Sequence, residues 1–448
     1  MSEYSFSIRL AAENNWTRDF TSEAILEYKK FMFLAASSEF MVSPSPVVDT
    51  VWHQHLVFTQ SYQSFAEVLG KQVQHVPSTH TREDFPRFRD AKARTKNLYE
   101  EQFGPQPPAI WEFPGMLDSL ELPKAKIKSR VSIIIGLVAI GLLLAPFYAA
   151  LRPFYIRIQN PAFLYSYIVL LILCFAVLEV TNRGYFNRTI TRFRPDSFIS
   201  NLNPFELVYL QAGKLNASIT SAINEAAHAR KIGFTETSLI TKLDGVTPST
   251  VEEFQIIQTV NELNLVTFPR LLKELSYKPI FLNTRNTMEA MRKYFIRSKR
   301  FAKLFYINFS VLGIMGLLGL TRLATGLSRD KPVGFLLFTL FVFAVGSACF
   351  LFRLTKQMFR DSLPAFYKTD RVPENLNQVN WAWHYFLVGD LALADELRHV
   401  GRDRSGGSSS SDSGGSGCGS SGGSSGGSSG DSSCGSSCSS CGGCGGGD

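Results

Sequence analysis

The sequence predicts a mainly α membrane protein with four transmembrane helices in two hairpins, two helical cytoplasmic domains and a disordered C-terminal tail. Three observations lead there. Four apolar runs, 131–150, 162–180, 304–320 and 333–352, are each long enough to cross a hydrocarbon core of roughly 30 Å as a helix. The polar stretches around them carry apolar residues at helical spacing. The last 44 residues hold 19 Ser, 17 Gly, 5 Cys and 3 Asp and nothing else, so they have almost nothing to bury against the entropy of ordering.

Taken in order, residues 1–122 form the first cytoplasmic domain. The opening residues, MSEYSFSIRLAAENN, lack an apolar core behind a basic start, which argues against a secretory signal. Residues 4–10 alternate, with Phe6, Ile8 and Leu10 on one side, and read as a short strand or extended lead-in. A helix is expected over 21–36, where Ile25, Tyr28, Phe31, Met32 and Ala35 recur at three and four. A second runs from a Ser45 cap and first-turn Pro46 to a stop at Gly70, with Val48, Trp52, Leu56 and Phe65 on its core face.

That second helix carries Asp49, Trp52, His53 and His55. A His-x-His pair beside an Asp invites a metal such as zinc. Residues two apart point nearly opposite ways round a helix, so only Asp49 and His53 share a face. Outside ligands are then required, and His75 and His80 in the following loop are the candidates. The competing account makes Trp52 and one His core residues with their ring nitrogens tied to Asp49 or to backbone.

The first hairpin occupies 123–181 and the second 304–352, with spans at 131–150, 162–180, 304–320 and 333–352. The outer flanks of the spans (124–130, 183–194, 292–303 and 353–371) hold 19 Lys and Arg, against 5 in the two short loops: Arg152, Arg157, Arg322, Arg329 and Lys331. By the positive-inside rule both hairpins dip across the cell (inner) membrane and return, leaving both termini cytoplasmic. Glu179 pairs with Arg183 at i,i+4. Gly313, Gly316 and Gly319 form a helix-packing stripe. No ionisable group stands at mid-depth, which argues against a transporter or channel.

The second cytoplasmic domain, 182–303, reads as helices at 203–212 and 218–229, an extended piece at 231–234, and a helix behind a Thr250/Glu253 capping box. Pro269 opens another, and a basic helix runs from Asn283 into the third span. His228 is expected at the surface or half-buried. A winged-helix-like layout would suggest DNA, but 195–284 has no basic recognition helix, and the net charge of +8 is concentrated at the span ends. Membrane lipid and unidentified proteins are the expected partners, and nucleic acid is not.

Residues 353–404 are juxtamembrane helices and 405–448 the tail. Cys434, Cys438, Cys441 and Cys444 have a spacing that fits zinc or an iron–sulfur cluster, with Cys418 upstream; their featureless flanks and a reducing cytoplasm favour free thiols.

The segments EYKKFMFLAAS, SPSPVVDTVWHQHLVFTQSY, EVLGKQVQHVP and TKNLYEEQFGPQPPAIW resemble the N-terminal module of a bacterial multi-pass membrane-protein family with a Gly/Ser/Cys-rich C-terminus and no assigned biochemical role. The module is similar to the shared domain of plant glycine-rich domain proteins. The matching positions include Glu27, Tyr28, Asp49, Trp52, His53, His55, Tyr62, Gly70, His75, Pro77, Tyr99, Trp111 and their neighbours over about 5–112. Where that pattern has a His pair before the Pro, this chain has Gln74 and His75, and Ser78, Thr79 and His80 replace its Gly-rich turn. The resemblance implies an architecture and no reaction.

No catalytic signature is present. The expected role is binding or scaffolding at the cytoplasmic membrane face. The alternatives are a metal-dependent enzyme using Asp49, His53 and His75, or a thiol-based redox or metal sensor using the tail cysteines.

Overall fold

The computed structural model describes residues 5–76, 85–127, 129–371, 381–395 and 397. The tail, with Cys418, Cys434, Cys438, Cys441 and Cys444, and the loop residue His80 lie outside the described residues.

The N-terminal region consists of α1 (Phe6–Asn14), α2 (Arg18–Ser37), α3 (Pro46–Val57), α4 (Thr59–Leu69), α5 (Phe85–Phe103) and the short α6 (Pro108–Trp111). Two expectations are corrected. Of the alternating 4–10 segment, residues 6–10 form the start of a helix, because Ile8, Leu10 and Ala11 are buried together along α1 and the helix ends at left-handed Asn15. The helix expected to run from Pro46 to Gly70 breaks at Phe58, whose N–H bonds the His55 carbonyl in a tight turn. The break folds α4 back so that Ser61 reaches His55 and Tyr62 reaches Trp52. Ser45 caps α3 by accepting the Val48 N–H, and left-handed Gly70 closes α4.

Two long apolar helices follow, α7 (Ser129–Arg157) and α8 (Asn160–Ile190). The middle region comprises α9 (Pro204–Ala212), α10 (Leu215–His228), a hairpin of β1 (Ile232–Phe234) and β2 (Ile240–Lys242), then α11 (Val251–Leu263), α12 (Phe268–Leu275) and α13 (Pro279–Ile296). The strands are antiparallel, with Ile232 opposite Lys242. Thr250 and Glu253 form the expected capping box, and Asn203 with Glu206 forms another. The basic helix does not run on into the third span. It stops at Arg297, and Ser298 caps a new helix, α14 (Lys299–Leu327), by accepting the Phe301 N–H. After α15 (Gly334–Gln357), π-helical turns at 358–362 and 367–371 flank α16 (Leu363–Phe366). Finally α17 (Trp381–Val388) packs on α9 and α10.

Among the described residues, four helices are long and apolar enough to cross a membrane, over Val131–Arg157, Pro161–Ile190, Lys299–Leu327 and Gly334–Asp370. Their packing departs from their order in sequence. The third span is central and touches the other three, and the first lies along the third. Gly136 makes that approach possible, since a methyl group there would overlap the Phe309 ring. Asn182 and Asn308 exchange side-chain amide hydrogen bonds, each 2.9 Å, between the second and third spans.

The N-terminal and middle regions share one apolar core. It runs from Leu10, Trp16 and Phe20 through Met116 and Leu120 to Phe198, Leu207, Met288 and Phe295, and on to Met358 and Phe359. Polar contacts cross the same junction. The Trp16 carbonyl accepts from Asn283 (3.1 Å) and Thr287 (3.3 Å), and Arg18 grips both Glu252 oxygens at 3.0 and 2.8 Å.

Candidate metal centre

Within the N-terminal region, three polar clusters account for most of the motif residues. Two are internal. Glu27 is buried on α2 and accepts from the Tyr99 hydroxyl and the Trp111 indole N–H on one oxygen and from Lys30 on the other, each at 2.7 Å. A buried carboxylate is tolerable only with such donors. Tyr99 lies deep enough that burial pushes its hydroxyl pKa up to about 12. This cluster ties α2 to α5 and α6.

The second cluster surrounds His55. Its Nδ1 meets the Tyr28 hydroxyl at 2.9 Å and its Nε2 the Ser61 hydroxyl at 3.1 Å, among the rings of Phe6, Tyr62 and Phe65. Burial lowers its pKa and so favours the neutral ring. Both nitrogens are occupied, so His55 is a structural residue, and its partner is Tyr28 rather than Asp49.

The third cluster faces outward. Asp49 and His53 stand one turn apart on α3, and His75 comes to them from the segment after α4. His75 Nε2 lies 3.0 Å from Asp49 Oδ1 and 3.0 Å from His53 Nε2, while His53 Nε2 lies 3.6 Å from Asp49 Oδ2. The His53 and Asp49 side chains are 60% and 41% exposed and that of His75 is 15% exposed, so the convergence point opens to solvent.

The position of His75 has a traceable cause. The Trp52 indole N–H donates to the Tyr62 hydroxyl at 3.2 Å, and that hydroxyl donates to the Val73 carbonyl, pinning the chain two residues before His75. Lys71 donates to the carbonyls of Ala36 and Ser38 at the end of α2, holding the start of the segment. The Trp52 ring then meets the His75 ring edge-on, 4.6 Å between centroids.

The remaining site-like residues settle into structural contacts. Glu179 pairs with Arg183 at 2.9 Å as expected, and also receives Arg353 at 3.1 Å and Gln357 at 3.0 Å, which the sequence did not suggest. His228 is half-buried and stacks on Trp381 at 3.5 Å with an interplanar angle of 6°. Arg322, expected in an external loop, is buried within α14. It donates to the Tyr155 and Ile158 carbonyls and lies over the Phe163 ring. It thus adds to the Ile158 N–H on the Tyr155 carbonyl and supplies a donor to the Ile158 carbonyl just beyond α7.

Residues 9–95 match the model of the UCP032817-like family. That stretch spans α1 to α4 and the first half of α5, and it contains all of Asp49, His53, His55 and His75. No curated protein matches the chain, and no solved structure does.

Proposed function

We propose that the chain is a multi-pass protein of the cell (inner) membrane whose helical body, built from 1–122 and 182–303, faces the cytoplasm and binds or scaffolds protein partners there. One observation carries the reading: among the described residues, the segments outside the spans join them at one end of the bundle. Residues 123–125 lie beside 297–299, with the Lys299 N–H on the Pro123 carbonyl at 2.7 Å and the Ala125 N–H on the Arg297 carbonyl at 2.8 Å, so the first and third spans begin together. Glu179 with Arg353 brings together the far ends of the second and fourth spans. At the opposite end, Arg322 binds carbonyls of the first connection and Tyr148 donates to Ser328. In the sequence, 19 basic residues flank the outer ends of the spans against 5 in the two connections, the arrangement expected of a cytoplasmic face. The wider resemblance, to membrane proteins with a Gly/Ser/Cys-rich tail, supports the same reading. With no ionisable cluster converging inside the bundle among the described residues, the spans act as an anchor.

The test is a pair of single-cysteine proteins with the native cysteines replaced by serine. Exposed Ser328→Cys should react with a membrane-impermeant maleimide in intact cells, and exposed Ser37→Cys only after lysis. The reverse pattern would overturn the orientation. Crosslinking from the body side in cells should then capture protein partners, and a body that crosslinks only to lipid argues against scaffolding.

A further inference from the structure

We propose that Asp49, His53 and His75 form a binding site for a divalent first-row metal ion of the zinc class, with a coordination position open to solvent. This goes beyond the scaffolding reading and does not depend on it.

The donor set is chemically apt. Two imidazoles and one carboxylate are the mixture that zinc and its neighbours accept, and three protein ligands leave the fourth position of a tetrahedral ion for water or a further ligand. The spacing agrees as well. Ligand atoms 2.0–2.1 Å from a tetrahedral ion stand about 3.3 Å from one another; His75 Nε2 lies 3.0 Å from both His53 Nε2 and Asp49 Oδ1, and His53 Nε2 lies 3.6 Å from the other carboxylate oxygen, Oδ2. The potential ligand atoms all fall within 4.8 Å of each other.

The protonation chemistry points the same way. His75 Nε2 stands at hydrogen-bond distance from both an imidazole nitrogen and a carboxylate oxygen. A ring nitrogen carries at most one hydrogen. A hydrogen on His75 Nε2 would have to be shared between the two neighbours, whereas a cation between the three groups engages a lone pair of each. An ion at the convergence point resolves all three contacts at once. The Trp52–Tyr62–Val73 chain of hydrogen bonds holds the backbone two residues before His75 and so keeps its ring at the outer face of α3.

The experiment uses the full-length protein in detergent, with the tail thiols alkylated so that they cannot compete. Metal analysis after zinc loading and desalting should give one equivalent per chain. Cobalt(II) should give the visible bands of nitrogen and oxygen ligation without a thiolate charge-transfer band. His53→Ala and His75→Ala should each weaken zinc binding at least tenfold. Asp49→Asn should weaken it while leaving the helical circular dichroism unchanged. If His75→Ala disturbs folding, His53→Ala, at a largely exposed side chain, carries the test. A folded parent protein that retains no zinc, or zinc retention unchanged in His53→Ala, would overturn the proposal.

Discussion

Glu206 occupies the third position of α9, inside its own capping box, and is almost wholly buried. Burial pushes its carboxyl pKa up to about 8, opposed by the Asn203 N–H and reinforced by Asp19 and Glu252. Burial acts on Glu225 too, taking it to about 7, with Glu253 and Glu252 raising it and Arg18 lowering it. Between the ordinary carboxylate value and about 8 the folded state holds a proton that the unfolded chain releases. Stability from this group is therefore present at low pH and is lost as pH rises through the window. His55 has the opposite sign, because burial disfavours its charged form, so the parent curve alone does not isolate Glu206. Glu206→Gln keeps an acceptor for the Asn203 N–H and removes the titration. The gain in melting temperature of Glu206→Gln over the parent should grow as pH rises from 5 to 8, read by thermal unfolding in detergent. A constant difference would show that Glu206 does not titrate in this window. The metal-site residues were unequally legible in the sequence. Asp49 and His53 share a face by spacing alone, and the outward turn of His53 against the inward turn of His55 follows from 100° per residue. His75 is another matter, because its placement depends on the break at Phe58 and on Tyr62 reaching the Val73 carbonyl.

At the scale of elements, the glycine stripe of α14 does unequal work. A Cβ at Gly319 would stand 2.5 Å from Leu340 Cδ2 and 2.5 Å from the Tyr167 hydroxyl, and that hydroxyl donates to the Met315 carbonyl at 2.8 Å. At Gly316 the nearest atom, on Phe343, is 3.5 Å away, and at Gly141 of α7 there is nothing within 4 Å. Gly319→Ala should therefore push the second and fourth spans off the third, costing about 1–3 kcal/mol as overpacking does. Gly141→Ala should leave stability unchanged or improve it through helix propensity. Melting temperatures in one detergent compare the two; equal behaviour would mean that the close approach at Gly319 contributes nothing. The spans were readable because a 20-residue apolar run is a local property of the chain, as are the caps at Ser45 and Thr250. The partner of each span was not readable. Hairpin order suggests that the first pairs with the second, yet Gly136 and Phe309 seat the first against the third, a match that no periodicity encodes. The 4–10 segment misled for a related reason: over seven residues, alternation and helical spacing select overlapping positions, and burial beneath α2 and α13 decides between them.

For the whole molecule, the sharing of one core by the N-terminal and middle regions has an energetic consequence. Sequence patterning suggests two independent domains on either side of a transmembrane hairpin, since each has its own amphipathic helices. The structure instead lays α1 against α13 and buries Trp16 at the junction, with its carbonyl accepting from Asn283 and Thr287. Tyr294 donates to Asp118 at 3.2 Å, Arg18 Nη1 donates to both Glu252 carboxylate oxygens, and residues 123–125 pair with 297–299. Each such hydrogen bond contributes roughly 1 kcal/mol net, and each large apolar side chain withdrawn from water about 1.5–3 kcal/mol. Removing the middle region forfeits on the order of 5 kcal/mol or more, against a total of about 5–15 kcal/mol for a typical folded domain. A fragment comprising residues 1–127 should therefore be helical but marginal. It should melt well below the same region in the full chain, bind an apolar dye, and show red-shifted emission from Trp16, which the intact core keeps dry. Arg18→Ala in the full chain should act in the same direction but weakly, because its side chain is 42% exposed and solvent screens much of the pairing. A fragment that melts cooperatively at the temperature of the full protein would show that the shared core is a contact between finished domains. Failure of the fragment alone, with Arg18→Ala only slightly destabilised, is the outcome that a single body built from sequence on both sides of α7 and α8 requires.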